Sequence, residues 1–130
     1  MPFMDALYKR REEITTHVCY HEQGCSLVAD GYTRTSGNIG VCFTTSGPGA
    51  VNAFGGLADA WFDGNPIMGI CGNVPINEMK GFSGIRQNGF QEMDIVSITR
   101  NITRYSVTAN SAEDFSEIVN RAYNMALLGR

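Results

Sequence analysis

Ile39-Gly40-Val41-Cys42-Phe43-Thr44-Thr45-Ser46-Gly47-Pro48-Gly49-Ala50-Val51-Asn52, followed by Ala53 to Asp63, carries three local signals in one span: a strand, a glycine turn and a helix. Ile39, Val41, Cys42 and Phe43 form a short apolar, partly β-branched run of the length a buried parallel strand needs, and it stops at the polar step Thr44-Thr45-Ser46. Ser46-Gly47-Pro48-Gly49 is a turn. Gly47 and Gly49 permit φ above zero or close backbone approach, and Pro48 presets φ while giving up an N–H that a first helical turn leaves unpaired anyway. Val51, Phe54, Leu57, Ala58, Trp61 and Phe62 then recur at three and four, which predicts an amphipathic helix facing a core. A ligand brought to such a turn meets free backbone N–H groups.

The flanks repeat this grammar. Upstream, residues 2 to 13 predict a short amphipathic helix with Phe3 and Leu7 inward. Ile14 to Tyr20 is β-branched and bounded by charge, which predicts a strand, although Thr15, Thr16 and His17 make it the least apolar one. A helix follows from about His21 to a stop at Gly37-Asn38, with Cys25, Val28, Ala29 and Tyr32 on one face. Downstream, Pro66 to Gly72 predicts a third strand. Residues 73 to 90 read as a glycine- and asparagine-punctuated loop, near the length at which structureless loops are uncommon unless functional. Gln91 to Thr99 predicts a short helix, Ile102 to Thr108 a fourth strand, and Ser111-x-x-Asp114 the capping box of a last helix carrying Phe115, Ile118, Val119, Ala122 and Ala126. Strands and helices alternate with short connections, so the fold class is α/β: three layers, α/β/α, around a mainly parallel sheet of about four strands.

Composition bounds the function. The chain has 130 residues, read as one domain over 1–130, with 43% hydrophobic and 18% charged residues, a weakly charged surface that hints at cover by a partner. Lys+Arg 10 against Asp+Glu 13 leaves a net charge of -3, and Lys9-Arg10-Arg11 is answered at once by Glu12-Glu13, so no basic track for nucleic acid exists. Cys19, Cys25, Cys42 and Cys71 include no CxxC pair; they read as small core residues in a reducing compartment rather than a zinc site. Met1 to Arg10 has Asp5 in its middle and no apolar signal core, and no run approaches bilayer length. A cytoplasmic location, with no membrane partner, is the expectation.

Candidate site residues cluster at the C-terminal ends of the predicted strands, where open α/β sheets place ligands. His21 and Glu22 stand at one such end; each also has an ordinary reading, His21 as a helix cap and Glu22 as an acid favoured by a helix N-terminus. Gly47-x-Gly49-x-x-Asn52 falls one residue short of the dinucleotide fingerprint. Asn52 occupies the third glycine's place, and Gly72-Asn73-Val74 stands where an acidic residue would follow the next strand. An ordinary strand-to-helix turn without ligand is the other reading of these glycines.

Taken together, His21-Glu22-Gln23-Gly24, Thr45-Ser46-Gly47-Pro48-Gly49-Ala50-Val51-Asn52, Gly72-Asn73-Val74-Pro75 and Phe90-Gln91-Glu92 resemble the pyrimidine-binding domain of thiamine diphosphate enzymes, most of all the acetolactate synthase large subunit and the pyruvate oxidase group. The resemblance covers essentially the whole chain and implies the thiamine diphosphate-binding fold and carboligation or decarboxylation of 2-oxo acids. By this resemblance Glu22 matches the glutamate that hydrogen-bonds N1′ of the cofactor's aminopyrimidine and promotes the tautomer that takes the proton from the thiazolium carbon. Pro48 and Asn52 match residues lining the pyrimidine, as part of the turn at Gly47 and Gly49, and Gln91 and Phe90 match residues reaching the active site from the same domain. In a closed site, burial is expected to raise the Glu22 pKa above its reference, winning over the helix N-terminus.

Compared with that family, the sequence departs at both ends and in one loop. The family has a strand and a proline-glycine loop before the first helix and another strand after the last, both internal to its sheet, and Ile76 to Gly89 is longer here. The magnesium ion and the diphosphate are held in the family by a further domain. The resemblance therefore implies that this polypeptide binds the pyrimidine half only, is inactive alone, and works with a chain carrying the diphosphate-binding domain, in a homo-oligomer whose contacts include Asn73 to Met93. Two alternatives stay open: a non-catalytic oligomerisation or interaction module, and a stand-alone nucleotide or phosphate binder at Gly47 to Gly49.

Overall fold

A computed structural model describes residues 2–81 and 84–128. In chain order its elements are helix α1 (Pro2–Lys9), helix α2 (Glu22–Ser36), strand β1 (Gly40–Thr44), helices α3 (Pro48–Asn52) and α4 (Phe54–Asp63), strand β2 (Ile67–Cys71), helix α5 (Ile95–Thr99) and helix α6 (Ala112–Leu127), with one 3-10 turn at Ile76–Glu78. The fold is α/β with a parallel sheet.

The two strands are those the apolar runs mark most clearly. They pair in parallel with Gly40 opposite Ile67, Cys42 opposite Gly69 and Thr44 opposite Cys71. Alternation along β1 buries Cys42 while leaving Val41 exposed, as a two-residue period requires. Cys42 faces α2 and α4, where it forms the core with Ala29 and Leu57; Cys25, Phe54, Ile67 and Ile102 pack around it. The opposite face is covered by Phe43, whose ring stacks on Phe3 of α1 at 4.8 Å. Phe3 in turn meets Phe115 of α6 edge-on at 6.1 Å, so the first and last helices meet on that side.

Helix ends follow the local chemistry. The His21 side chain caps α2 by accepting from the Gln23 N–H, and Gly37 ends it at φ 73. Ser111 caps α6 by accepting from the Asp114 N–H at 3.0 Å. Polar bonds then fix α2 against the rest: Arg34 Nε donates to Asp30 at 2.6 Å, Asn65 donates to the same buried carboxylate at 2.8 Å, and Arg34 reaches Asp63 on α4. Thr33 donates to the Pro66 carbonyl and accepts from the Gly40 N–H, tying α2 to the starts of both strands.

Five predicted elements differ. The sheet among the described residues has two strands rather than about four. Residues 14–20 and 102–108 join no ladder, because a strand exists only where a neighbour takes its N–H and C=O groups. Val18, at 92% exposure, and Tyr20 stand in solvent with no such neighbour, and a groove separates 102–108 from β2. The helix expected after the glycine turn breaks at Ala53, where the Ala53 N–H bonds back to Ala50 in a tighter turn and divides α3 from α4. The helix expected from Gln91 begins at Ile95, because Gln91 sits at φ 58 and Asp94 caps the following turn by accepting from Ser97. The first helix ends at Lys9 rather than Glu13.

Candidate functional site

The end of β1, the start of α2 and the loop before α5 converge on the Ser46 to Gly49 turn. Gly72 at the end of β2 donates its N–H to the Thr44 carbonyl at 2.9 Å, which holds the two strand ends level beneath that turn. Gly47 has φ 59, a left-handed-side conformation that favours glycine, and a Cβ there would lie 2.5 Å from the carbonyl oxygen of Gln91. Gly49 is constrained by contact instead. A Cβ on it would sit 2.4 Å from Thr45 Cγ2 and 3.0 Å from Glu22 Oε1. Two glycines with different reasons thus let Gln91 and Glu22 approach the same turn from opposite sides.

Glu22 is half-buried, the first residue of α2, with its position fixed by the His21 cap. Its Oε2 accepts from Asn52 Nδ2 at 3.1 Å, and its Oε1 lies beside Gly49. The Asn52 hydrogen bond and the backbone N–H of Glu22 itself hold the carboxyl below its ordinary range. The rise expected for a closed site is a different case from this open shelf, where burial does push upward but hydrogen bonds to the ionised form win. The sequence-predicted residues Glu22, Gly47, Gly49, Asn52 and Gln91 are thereby brought together. Pro48 opens α3 as the first residue after the turn, exposed, and Phe90 stands in solvent at 79% exposure.

Glu92 is the residue that sequence reading left without a task. Its two carboxylate oxygens accept the backbone N–H groups of Lys80 at 2.7 Å and Asn88 at 2.8 Å, closing the loop between them, and these bonds, that from Asn88 foremost, lower its pKa. The available signal was its place: a carboxylate beside Gln91, following a long glycine- and asparagine-punctuated loop whose backbone N–H groups need acceptors. Burial pushes the Cys25 thiol up and the Cys42 thiol up to about 12, so neither is a ready nucleophile. Among the described residues, no group of three or more His, Cys, Asp or Glu side chains could hold a metal ion, and no helix is long and apolar enough to cross a membrane.

The family profile described as "Thiamine pyrophosphate enzyme, N-terminal TPP binding domain" matches residues 1–98. The chain belongs to this family. Thiamine diphosphate is the family's cofactor, and the convergence of Glu22, Asn52 and the glycine turn lies within the matched region. Among curated relatives, an acetolactate synthase from Arthrospira platensis is 39% identical across all of this chain and 22% of its own length. The acetolactate synthase isozyme 2 large subunit of Escherichia coli (strain K12) is likewise 39% identical over the whole chain and 22% of its own length. Acetolactate synthase 1, chloroplastic, from Oryza sativa subsp. japonica is 42% identical over 93% of the chain and 18% of its own length. The chain thus spans about a fifth of the length of the curated relatives it matches.

The residues present fit the pyrimidine half of that cofactor. An aminopyrimidine edge offers a ring nitrogen and an amino group, and the turn presents an acceptor and a donor side by side in Glu22 and Asn52. Gly49 leaves the Glu22 carboxylate uncovered at the point where any side chain would shield it.

Proposed function

We propose that residues 1–130 form the pyrimidine-binding domain of an acetolactate synthase-like enzyme acting on 2-oxo acids, inactive alone, in which Glu22 shares a proton with the cofactor's aminopyrimidine. The observation that carries this is the Glu22 carboxylate held between Asn52 and Gly49 at the mouth of the parallel sheet. Thiamine diphosphate, when bound, supplies the nucleophilic carbon that attacks a carbonyl substrate. Glu22 holds and returns the proton, Asn52 orients the carboxylate, Pro48 and the backbone of Gly47 and Gly49 line the ring, and Gln91 and Phe90 reach in from the loop.

On the open shelf the Glu22 carboxyl is depressed and ionised at neutral pH. Cover by a chain bearing the diphosphate-binding domain removes water from it, and desolvation raises its pKa toward a value suited to proton sharing. Magnesium and diphosphate are held by that second polypeptide in this scheme. A homo-oligomer in the cytoplasm completes the proposal, with Phe90 and the Asn73 to Met93 segment in the contact.

A non-catalytic interaction module is the second reading, favoured by the exposure of Phe90. Phosphate binding at the turn has less support, since α3 is five residues long and the Gln91 carbonyl oxygen, an acceptor, crowds Gly47. Substituting Glu22→Gln in a complemented synthase separates the catalytic reading from the module. The amide fills the same space without sharing the proton, so activity falls by about 10²- to 10⁴-fold with the fold retained. Full activity would leave Glu22 only a helix-end charge.

A further inference from the structure

Glu22 is held in place by the residues on either side of it. Before it, the His21 carbonyl accepts from the Cys25 N–H at 3.1 Å, and the His21 ring nitrogen Nδ1 accepts from the Gln23 N–H at 3.2 Å, on an extended backbone at φ -138 and ψ 139. After it, the Gln23 side chain lies against α4, where a Cβ on Gly55 would stand 2.8 Å from Gln23 Nε2. Between these two anchors the Glu22 carboxylate reaches Asn52 and Gly49. Histidine is not one of the usual caps, which are serine, threonine, aspartate and asparagine. It differs from them in that only one of its protonation states can do the work. A neutral imidazole offers one acceptor nitrogen and one N–H, whereas a protonated one offers two donors and no acceptor. The bond to Gln23 therefore requires a neutral ring with Nδ1 bare and the proton on Nε2.

We infer that His21 is a positioning residue for Glu22: as a neutral, Nε2-protonated cap it holds the carboxylate on Asn52 and Gly49, and it releases the first turn of α2 when the ring is protonated. This rests on the reading of Glu22 as the proton-sharing group. Two consequences of protonating the ring oppose each other. A cation beside Glu22 favours the ionised carboxylate, but the cap is lost and the charge stands at the positive end of a helix. His21 is exposed, so water screens the attraction, and the loss of the cap wins. The other ionisable groups around the turn do not change this balance. The thiols of Cys25 and of Cys42 in β1 are kept neutral by burial, α3 carries no titratable side chain, and Asp59 and Asp63 of α4 pair with Arg34 near the other end of α2. The cap is thus present at higher pH and is lost as pH falls through the imidazole titration.

NMR of the unmodified chain, His21→Ala and His21→Asn tests it. The ring-nitrogen shifts of the unmodified chain are expected to show a bare Nδ1. In His21→Ala, protection of the Gln23 amide against hydrogen exchange falls about tenfold, the effect of losing a cap of ordinary strength, and the Glu22 titration midpoint rises toward 4.5. His21→Asn restores both. Asparagine caps without ever being charged, so its rescue assigns the effect to the cap rather than to an imidazolium beside Glu22, and its Gln23 protection persists over the acid range in which the unmodified chain loses it. A proton found on Nδ1, an alanine variant that behaves like the unmodified chain, or an asparagine variant that behaves like alanine would each overturn the inference. In a complemented synthase, His21→Ala lowers kcat about tenfold and His21→Asn recovers it. Full activity in His21→Ala beside an inactive Glu22→Gln overturns the role of His21 and leaves that of Glu22 standing, whereas full activity in Glu22→Gln overturns both.

Discussion

Asn52 Nδ2 donates to Glu22 Oε2 at 3.1 Å, joining the last residue of α3 to the first residue of α2 across thirty positions of sequence. The bond favours the ionised carboxylate and ties the glycine turn to the helix that carries it. Removing it in Asn52→Ala is expected to raise the Glu22 titration midpoint toward the ordinary 4.5. Because the folded pKa is depressed, the stabilisation from ionised Glu22 is complete above the unfolded value and fades as pH falls through the folded one. In the variant the folded value approaches the unfolded one, so this contribution shrinks and its pH window narrows. Carbon-detected NMR titration of the Glu22 carboxyl measures the shift, and an unchanged midpoint would remove Asn52 from the site.

Gly49→Ala is expected to destabilise the fold by about 1–3 kcal/mol, the usual range for overpacking. The new methyl meets Thr45 Cγ2 and the Glu22 carboxylate together, so it costs stability and displaces Glu22 in one step. Urea denaturation reads the first effect, and a moved Glu22 titration reads the second. A neutral substitution would mean that the turn is looser than its contacts require.

How much of this was legible in the sequence divides along physical lines. Caps and turns are local, so His21, Gly37 and Ser111 end their helices where their side chains or backbone freedom say they should. The β1–turn–α3 unit is legible for the same reason. Strands at 14–20 and 102–108 failed because pairing is a property of two segments, and β propensity in one says nothing of its neighbour. At the site, the motifs named Glu22, Asn52 and Gln91, but the direction of the Glu22 pKa depended on how open the shelf is, which no residue pattern encodes. Gln91 at φ 58 likewise has no signature in a side chain that rarely adopts that conformation.

Glu92→Gln tests the loop that delivers Gln91. The amide keeps one acceptor but turns an N–H₂ toward the second backbone donor, so one of Lys80 and Asn88 loses its partner. Hydrogen exchange at that amide is expected to speed up about tenfold. Glu92 has a lowered folded pKa, so in the unmodified chain the same loosening appears as pH falls below 4.5 through the folded value and is absent above it. Equal protection in both proteins, or loosening that grows with rising pH, would contradict the assignment.

The central claim is that this domain supplies half of a thiamine diphosphate site and needs a second polypeptide for the other half. Titration calorimetry with thiamine diphosphate and magnesium, on the chain alone and on the chain mixed with an acetolactate synthase lacking its own N-terminal domain, tests it most directly. The account predicts no measurable heat of binding to the chain alone and saturable binding to the mixture. Micromolar binding to the chain alone, or none to a mixture shown to associate, would contradict it.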